Sequence, residues 1–180
     1  LLYHSNPKVA VRAAEILGAE SSLDRQKVID QYLAALSSLK GDAGRGKAVF
    51  AGSCTVCHQL GDAGGRAIGP DLAGLSDRSS LYLVTHIIDP NRAIEDKYLL
   101  YTATTRDGRT LAGILANEAG NSITLVGLDG AEQVILRNQL KSLSSTRRSL
   151  MPDGLEAAIN HQAMADLVAF VGSVGAPPAK

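Results

Sequence analysis

The chain of 180 residues contains two cysteines, three positions apart, and a histidine follows the second one directly. These residues are Cys54, Cys57 and His58. On one helical turn, two thiols at this spacing can add to the two vinyl groups of a porphyrin, and the next imidazole can bind the iron. Cys-x-x-Cys-His is the attachment sequence of a c-type haem. We therefore predict one haem c, bound covalently through Cys54 and Cys57, with His58 as its proximal ligand.

Other uses of a Cys-x-x-Cys pair fit the surrounding sequence less well. A dithiol redox centre follows a strand in a βαβ unit, whereas residues 44–53 have a helical pattern. A structural zinc site usually needs four Cys or His ligands. The remaining histidines, His4, His86 and His161, repeat no zinc-finger spacing. Zinc or dithiol chemistry is the alternative to haem.

The second axial position of a haem iron needs its own ligand, because the distal side decides between electron transfer and binding of small molecules. Met151 lies in an irregular segment that Pro152 stiffens, where no helical stripe demands an apolar residue. Met164 lies on the apolar stripe of the last predicted helix and is interpreted as core filler. His86 and His161 are interpreted as a structural and a solvated histidine. We predict Met151 as the sixth ligand; a histidine or an open position is the alternative.

The overall composition excludes two classes of partner. Eighteen basic residues balance eighteen acidic ones, so there is no general electrostatic attraction to nucleic acid or to an anionic membrane. No apolar run approaches the roughly 18 residues of a membrane span. We expect neither a nucleic-acid partner nor a membrane-spanning segment.

Hydrophobic periodicity predicts several helices before and after the haem motif. They cover residues 6–18, 22–39, 43–53, 78–88 and about 155–174. Between the second cysteine and the fourth helix, residues 61–72 are rich in glycine and irregular. Such a segment suits a backbone that follows the surface of a flat ligand closely.

From Tyr98 onward the pattern changes to that of short strands separated by Asp-Gly turns. Strands are predicted over residues 98–105, 110–116, 122–128 and 132–136, and a short helical turn over 138–143. The predicted fold is mainly α, with a small antiparallel β meander inserted at about residues 97–137.

Taken together, these features resemble a class I cytochrome c. The residues that carry the resemblance, besides the haem motif, are Gly46, Phe50, the segment 69–72, the Met151–Pro152 pair and the segment 166–170. The resemblance implies that the first and last helices of the domain cross beside the haem. It also implies that Pro70 offers its carbonyl to His58, that Leu72 contacts the cofactor and that Met151 completes the iron coordination.

A closer resemblance is to the haem-binding domain of Pirellula/Verrucomicrobium type. The matching segments are 41–50, 87–91 and 149–155, and the resemblance extends over roughly residues 41–172. Members are often C-terminal parts of large secreted proteins that also contain a dehydrogenase-like propeller and helical repeats. This implies a cytochrome c domain at 41–175 and a tail at 176–180. It also implies a helical extension at 1–40 that ends an upstream repeat and adds a linker helix.

The function expected from these residues is that of an electron-carrier domain and not of an enzyme, because no distal acid-base pair is evident. The resemblance implies an attached or partner dehydrogenase as donor, a downstream acceptor, and a periplasmic or otherwise extracytoplasmic location. A gas-binding or sensing haem, with Met151 absent from the iron or displaceable, is the alternative. The meander is either a surface for docking or homodimer formation, or structural padding.

Overall fold

The computed structural model describes residues 20–174 of the chain. The predicted helix over residues 6–18, His4 and the tail at 176–180 therefore lie outside the described residues. Four α-helices and one five-stranded sheet make up the regular structure of the described part.

The helices are α1 (Glu20–Leu36), α2 (Ala43–Ser53), α3 (Ser80–Ile88) and α4 (His161–Ser173). Side chains of Asp42, Ser79 and Asn160 cap α2, α3 and α4 by accepting a backbone N–H three residues on. A last helix predicted from residue 155 is wrong at its start: Leu155–Ala157 form a 3-10 turn, and α4 begins only after the Asn160 cap. Short polar side chains at such positions satisfy N–H groups that the first helical turn leaves unpaired.

Helices α2 and α4 cross at very short distance, and α1 packs against α3 and α4. At the crossing, a Cβ atom added to Gly46 would lie 1.9 Å from the Asp166 carbonyl oxygen. Phe50 and Phe170 contact each other one turn further on, with ring centroids 5.7 Å apart. Both rings belong to a hydrophobic core that includes residues from all four helices. The crossing of α2 and α4 therefore agrees with what the resemblance implied for the first and last helices of the domain.

A buried carboxylate on α4 connects this helix to the start of α2 by hydrogen bonds. Asp166 is 3% exposed and accepts hydrogen bonds from the Arg45 guanidinium at 2.7 and 2.8 Å, from the Asp42 N–H at 2.8 Å and from Gln162 at 2.9 Å. The bonds from Arg45 lower the pKa of Asp166 to about 2, and burial opposes this shift only in part. The carboxylate is thus charged and fully bonded at neutral pH.

Asp166→Asn is expected to lower the free energy of unfolding by about 2 kcal/mol at pH 7, because hydrogen bonds to a charged acceptor are lost. The folded-state pKa lies below the unfolded value of about 3.9. The stabilisation is therefore complete above about pH 4 and disappears as the pH falls through about 2. Urea unfolding followed by circular dichroism at several pH values should show the two proteins converging over this range.

The matched control for this prediction is Asp24→Asn in α1. Within residues 20–174, the exposed Asp24 carboxylate makes a surface ion pair with Lys27, and such pairs contribute about 0–1 kcal/mol. A difference between wild type and Asp166→Asn that stays constant from pH 7 to pH 2 would contradict the role of the charge.

The sheet consists of β1 (Leu99–Thr105), β2 (Thr110–Glu118), β3 (Ser122–Val126), β4 (Glu132–Leu136) and β5 (Leu140–Ser149). Its strands are antiparallel and follow the order β4-β3-β2-β1-β5. A second hydrophobic core on the sheet is built around Ala103, Ile123, Leu125 and Ile135. The sheet therefore has a core of its own beside that of the helices.

The prediction of a mainly α fold is wrong. Of the described residues, 38% are helical and 24% are in strands, which is the balance of a mixed α and β chain. The four strands of the meander lie close to their predicted positions. The predicted helical turn over 138–143 is wrong, since Leu140–Ser149 forms β5, the longest strand.

A β-bulge explains why β5 has a helix-like sequence pattern. Leu143 pairs with Ala103 and Leu140 pairs with Thr105, so one strand advances three residues while its partner advances two. The extra residue of a bulge places side chains three positions apart on the same face of a sheet. Apolar residues three positions apart are the pattern that predicts a helix. The spacing of Leu140 and Leu143 therefore predicts a helical turn where the structure has a bulged strand.

Strand β5 leads the chain back from the sheet to the helical layer. A second irregularity near its end shifts the register between Leu99 and Tyr101, and Arg147 there has a φ of 56°. The strand ends at Ser149, two residues before Met151. The end of β5 thus determines where the segment with Met151, the predicted sixth iron ligand, begins.

Candidate functional site

A cavity of about 580 Å³ lies between helices α2, α3 and α4, the glycine-rich segment and the loop after β5. The structure brings all six residues predicted from the sequence to this cavity: Cys54, Cys57, His58, Pro70, Leu72 and Met151. Its volume is in the range typical of cofactor and ligand sites. The candidate site is therefore one cavity to which distant parts of the chain contribute.

The two thiols lie on a helical turn that continues α2. The Cys54 N–H donates to the Phe50 carbonyl at 2.8 Å, and the His58 N–H donates to the Cys54 carbonyl at 2.8 Å. Burial raises the pKa of the Cys54 thiol to about 11. Burial also raises the pKa of Cys57, although the nearby charge of Arg66 acts in the other direction. The two sulfurs form no disulfide, so both are neutral thiols directed at a largely apolar cavity.

The imidazole of His58 has one ring nitrogen occupied. Its Nδ1 lies 2.9 Å from the Pro70 carbonyl oxygen, which can only accept, so this nitrogen carries the proton. Burial lowers the pKa of His58, and the bond to Pro70 opposes that shift. The ring is therefore neutral with an unprotonated Nε2, the form in which histidine binds metals, and the bond at Nδ1 fixes its orientation.

The glycine-rich segment packs tightly against the motif. The Arg66 N–H donates to the Thr55 carbonyl, and the N–H groups of Ile68 and Gly69 both donate to the Cys57 carbonyl. A Cβ atom on Gly69 would lie 2.6 Å from His58 Cε1, so the absence of a side chain lets the backbone lie against the ring. The segment was predicted to follow a flat ligand closely; the close contacts described here are with the Cys-x-x-Cys-His motif.

Met151 also lines the cavity, although it lies far from the haem motif in the sequence. It is half-buried, and its N–H donates to the Ser149 hydroxyl at 3.1 Å. Met164 is fully buried in the helical core and does not line the cavity, in agreement with its interpretation as core filler. Of the two methionines of the chain, Met151 alone is placed beside the candidate haem ligands.

The sequence interpretation missed the contribution of α3 to the cavity wall. Tyr82, Leu83, His86 and Ile87 line it together. The His86 Nδ1 lies 2.9 Å from the Tyr82 carbonyl, and its ring stacks on that of Tyr82 with centroids 4.1 Å apart. These four residues are one and four positions apart, a spacing that places them on one face of a helix. The spacing does not show whether that face contacts a protein core or a cofactor. His161 is exposed, as expected.

These residues fit a covalently bound haem. Two thiols, one neutral imidazole and a thioether surround the cavity, and its other walls include apolar side chains such as Ile68, Leu167 and Val171. The cavity thus presents thiols of the type that attach a haem, an imidazole and a thioether of the type that bind its iron, and an apolar lining. None of the helices in residues 20–174 is long and apolar enough to cross a membrane.

Comparison with known proteins adds independent evidence. The model of the cytochrome c family matches residues 43–175, a range that includes all six predicted site residues. The chain is similar to a curated protein of Synechocystis sp. described as cytochrome c-553-like, with 44% identity over 57 residues. That match covers 32% of the chain and 52% of the relative. The chain thus spans about half the length of this relative.

Proposed function

The chain belongs to the cytochrome c family, and from this premise we propose that its haem iron carries electrons with His58 and Met151 as axial ligands. Proteins of this family bind haem c covalently through two cysteines and use it for electron transfer; the two cysteines here are Cys54 and Cys57. When bound, the haem supplies a one-electron couple between ferric and ferrous iron. Electron carriers of this kind are not themselves enzymes.

The observation that carries the proposal is the presence of His58 and Met151 in one cavity. The Pro70 carbonyl holds the His58 ring in place, so the proximal ligand does not need to reorient when the charge of the iron changes. Met151 offers a neutral thioether, and a His/Met pair favours a high potential by stabilising ferrous iron. A ligand set that is the same in both oxidation states keeps the structural change on electron transfer small.

The wider context is also part of the proposal. The five-stranded sheet between α3 and the Met151 loop supports kinship with the haem-binding domain of Pirellula/Verrucomicrobium type. The domain would then extend over residues 41–175, with residues 1–40 as a helical extension. We infer an attached or partner dehydrogenase as donor and a separate downstream acceptor. A periplasmic location is proposed because proteins of the family are typically extracytoplasmic.

Met151→Leu tests the ligand assignment directly. The variant is expected to lose the far-red absorption band of ferric haem that reports an iron–thioether bond. Its reduction potential should fall by on the order of 0.1 V, within the ~0.8 V range over which axial ligands set haem potentials. The measurements are visible spectra of both oxidation states and a redox titration of the holoprotein.

Met164→Leu is the matched control, because it makes the same change in the buried core, outside the cavity. It should leave the band and the potential as in wild type. Unchanged spectra for Met151→Leu would show that another group binds the iron. Rapid binding of CO to the reduced wild-type protein at neutral pH would favour the gas-binding function instead.

A further inference from the structure

One side chain, that of Asn91, holds the Met151 loop at both of its ends. The Asn91 Oδ1 accepts a hydrogen bond from the Ser149 N–H at 2.8 Å. The Asn91 Nδ2 donates to the Asp153 carboxylate at 2.8 Å. Ser149 and Asp153 lie two residues before and two residues after Met151. The amide therefore bridges the loop that carries the proposed ligand.

Asn91 is itself part of a firm turn at the end of α3. It follows Asp89 and Pro90, which are both buried, and the proline ring fixes its own φ. The Arg92 side chain donates to the Asp89 carboxylate at 3.1 Å, and the Arg92 N–H donates to the Asp89 carbonyl at 3.1 Å. The Asp89 N–H closes the last turn of α3 on the Thr85 carbonyl. The bridge therefore connects the Met151 loop to the helical layer.

The other side-chain contacts of this loop are of a different kind. Arg148 pairs with Asp153, but both side chains are substantially exposed, and such pairs contribute little. The bond from the Met151 N–H to the Ser149 hydroxyl lies within the loop. Among the described residues, the side-chain hydrogen bonds that connect residues 149–153 to a separate segment are those of Asn91.

The two partners of Asn91 need a side chain that both accepts and donates a hydrogen bond. The site presents a backbone N–H on one side and a carboxylate on the other, so the bridging group must accept and donate at once. An asparagine does both, whereas an ionised aspartate only accepts. The residue type at position 91 thus matches the two partners as they are placed.

We propose that Asn91 is the positioning residue for the sixth ligand: its amide closes the Met151 loop and slows release of the thioether from the iron. The inference rests on the proposed role of Met151. Closing a loop at its base lowers the number of conformations in which its apex lies away from the site. Asn91 does not touch the iron in this view; it acts through Ser149 and Asp153.

The test uses the holoprotein and exchanges the hydrogen-bond donor at position 91 with the acceptor at position 153. Asn91→Asp places a second carboxylate opposite Asp153, which removes one bond and adds repulsion. CO must displace the thioether, so the rate of CO binding to the reduced protein should rise on the order of tenfold or more, as expected for a lost bond to a charged group. The ferric iron–thioether band should weaken. Adding Asp153→Asn restores a donor opposite an acceptor and should return both readouts toward wild type.

Three further variants separate the possible failures. Asn91→Ala removes both bonds without adding charge and should also speed CO binding, so the test does not depend on the folding of one variant. Asn117→Asp makes the original change on an exposed part of β2 and should have no effect on the haem. Met151→Leu reports whether the thioether is a ligand at all.

Three results would overturn the inference, and they are distinguishable. If Asn91→Asp and Asn91→Ala bind CO at the wild-type rate while Met151→Leu loses the band, the ligand assignment stands and the positioning role is wrong. If Met151→Leu keeps the wild-type spectrum, the ligand assignment fails, and the inference fails with it. A double variant that binds CO as fast as Asn91→Asp alone would also contradict the bridge.

Discussion

Gly46→Ala is expected to lower the free energy of unfolding by about 3 kcal/mol, although alanine is the better helix former. The new Cβ would lie 1.9 Å from the Asp166 carbonyl oxygen and 2.7 Å from Phe170 Cβ. Neither helix can move away without loss, because the bonds from Arg45 to Asp166 and the contact between Phe50 and Phe170 hold the same crossing. Chemical unfolding of the holoprotein, followed by far-ultraviolet circular dichroism, measures the effect.

Gly52→Ala is the matched control in the same helix. Gly52 is exposed, and a Cβ atom there would meet nothing within 4 Å. The substitution should be neutral or stabilise the protein by up to about 1 kcal/mol, through the lower flexibility of the unfolded chain. Equal effects of the two substitutions would show that α2 and α4 do not depend on close backbone approach.

The crossing also matters for the haem site. Helix α2 runs directly into the turn that carries Cys54, while α4 contributes Leu167 and Val171 to the cavity wall. A change in the distance between the two helices therefore changes the distance between the attachment point and the opposite wall. The stability of the fold and the shape of the site depend on the same contact.

The parts of the site that were predictable from the sequence are local. Cys54, Cys57 and His58 form one helical turn, and their chemistry follows from their types and spacing. The two Asp-Gly turns likewise predict hairpins because a tight turn depends on its own residues. The contact between Pro70 and His58 spans only 12 positions, but it was expected from a resemblance and not from the residues alone.

The parts that were not predictable depend on contacts between distant segments. Asn91 is 58 and 62 positions from its two partners, and no short pattern around it indicates a bridge. The face of α3 that carries Tyr82 and His86 is also ambiguous, since an amphipathic helix can face a core or a cofactor. Strand β5 was misread because its bulge is a property of the pairing with β1.

The fifth strand changes the interpretation of the inserted sheet. As a four-stranded meander ending near residue 137, it would be an appendage joined to the Met151 segment by a flexible connection. With β5 paired along β1 up to Ser149, the sheet reaches within two residues of Met151. Asn91 then ties that end to α3. The sheet is therefore a structural support of the proposed sixth ligand, whatever further surface it offers.

Gly65→Ala is the second substitution expected to have a large effect, with a loss of about 3 kcal/mol or more in stability. Gly65 has a φ of +110°, and a Cβ atom would lie 1.9 Å from the His58 carbonyl oxygen. The loop cannot yield easily, because the N–H groups of Arg66 and Ile68 are bonded to carbonyls of the haem motif. The strain should reach His58, so we expect a lower yield of protein with attached haem as well as easier unfolding.

Gly64→Ala separates backbone conformation from steric overlap at this site. Gly64 also has a positive φ, +73°, but a Cβ atom there would meet nothing within 4 Å. Its substitution should cost only the roughly 1–2 kcal/mol of a left-handed non-glycine residue and should leave haem attachment and the visible spectrum unchanged. If both variants lost stability equally and kept full haem content, conformational strain alone would explain Gly65. A loss of haem confined to Gly65→Ala would instead show that this glycine lets the loop lie against the backbone of the proximal ligand.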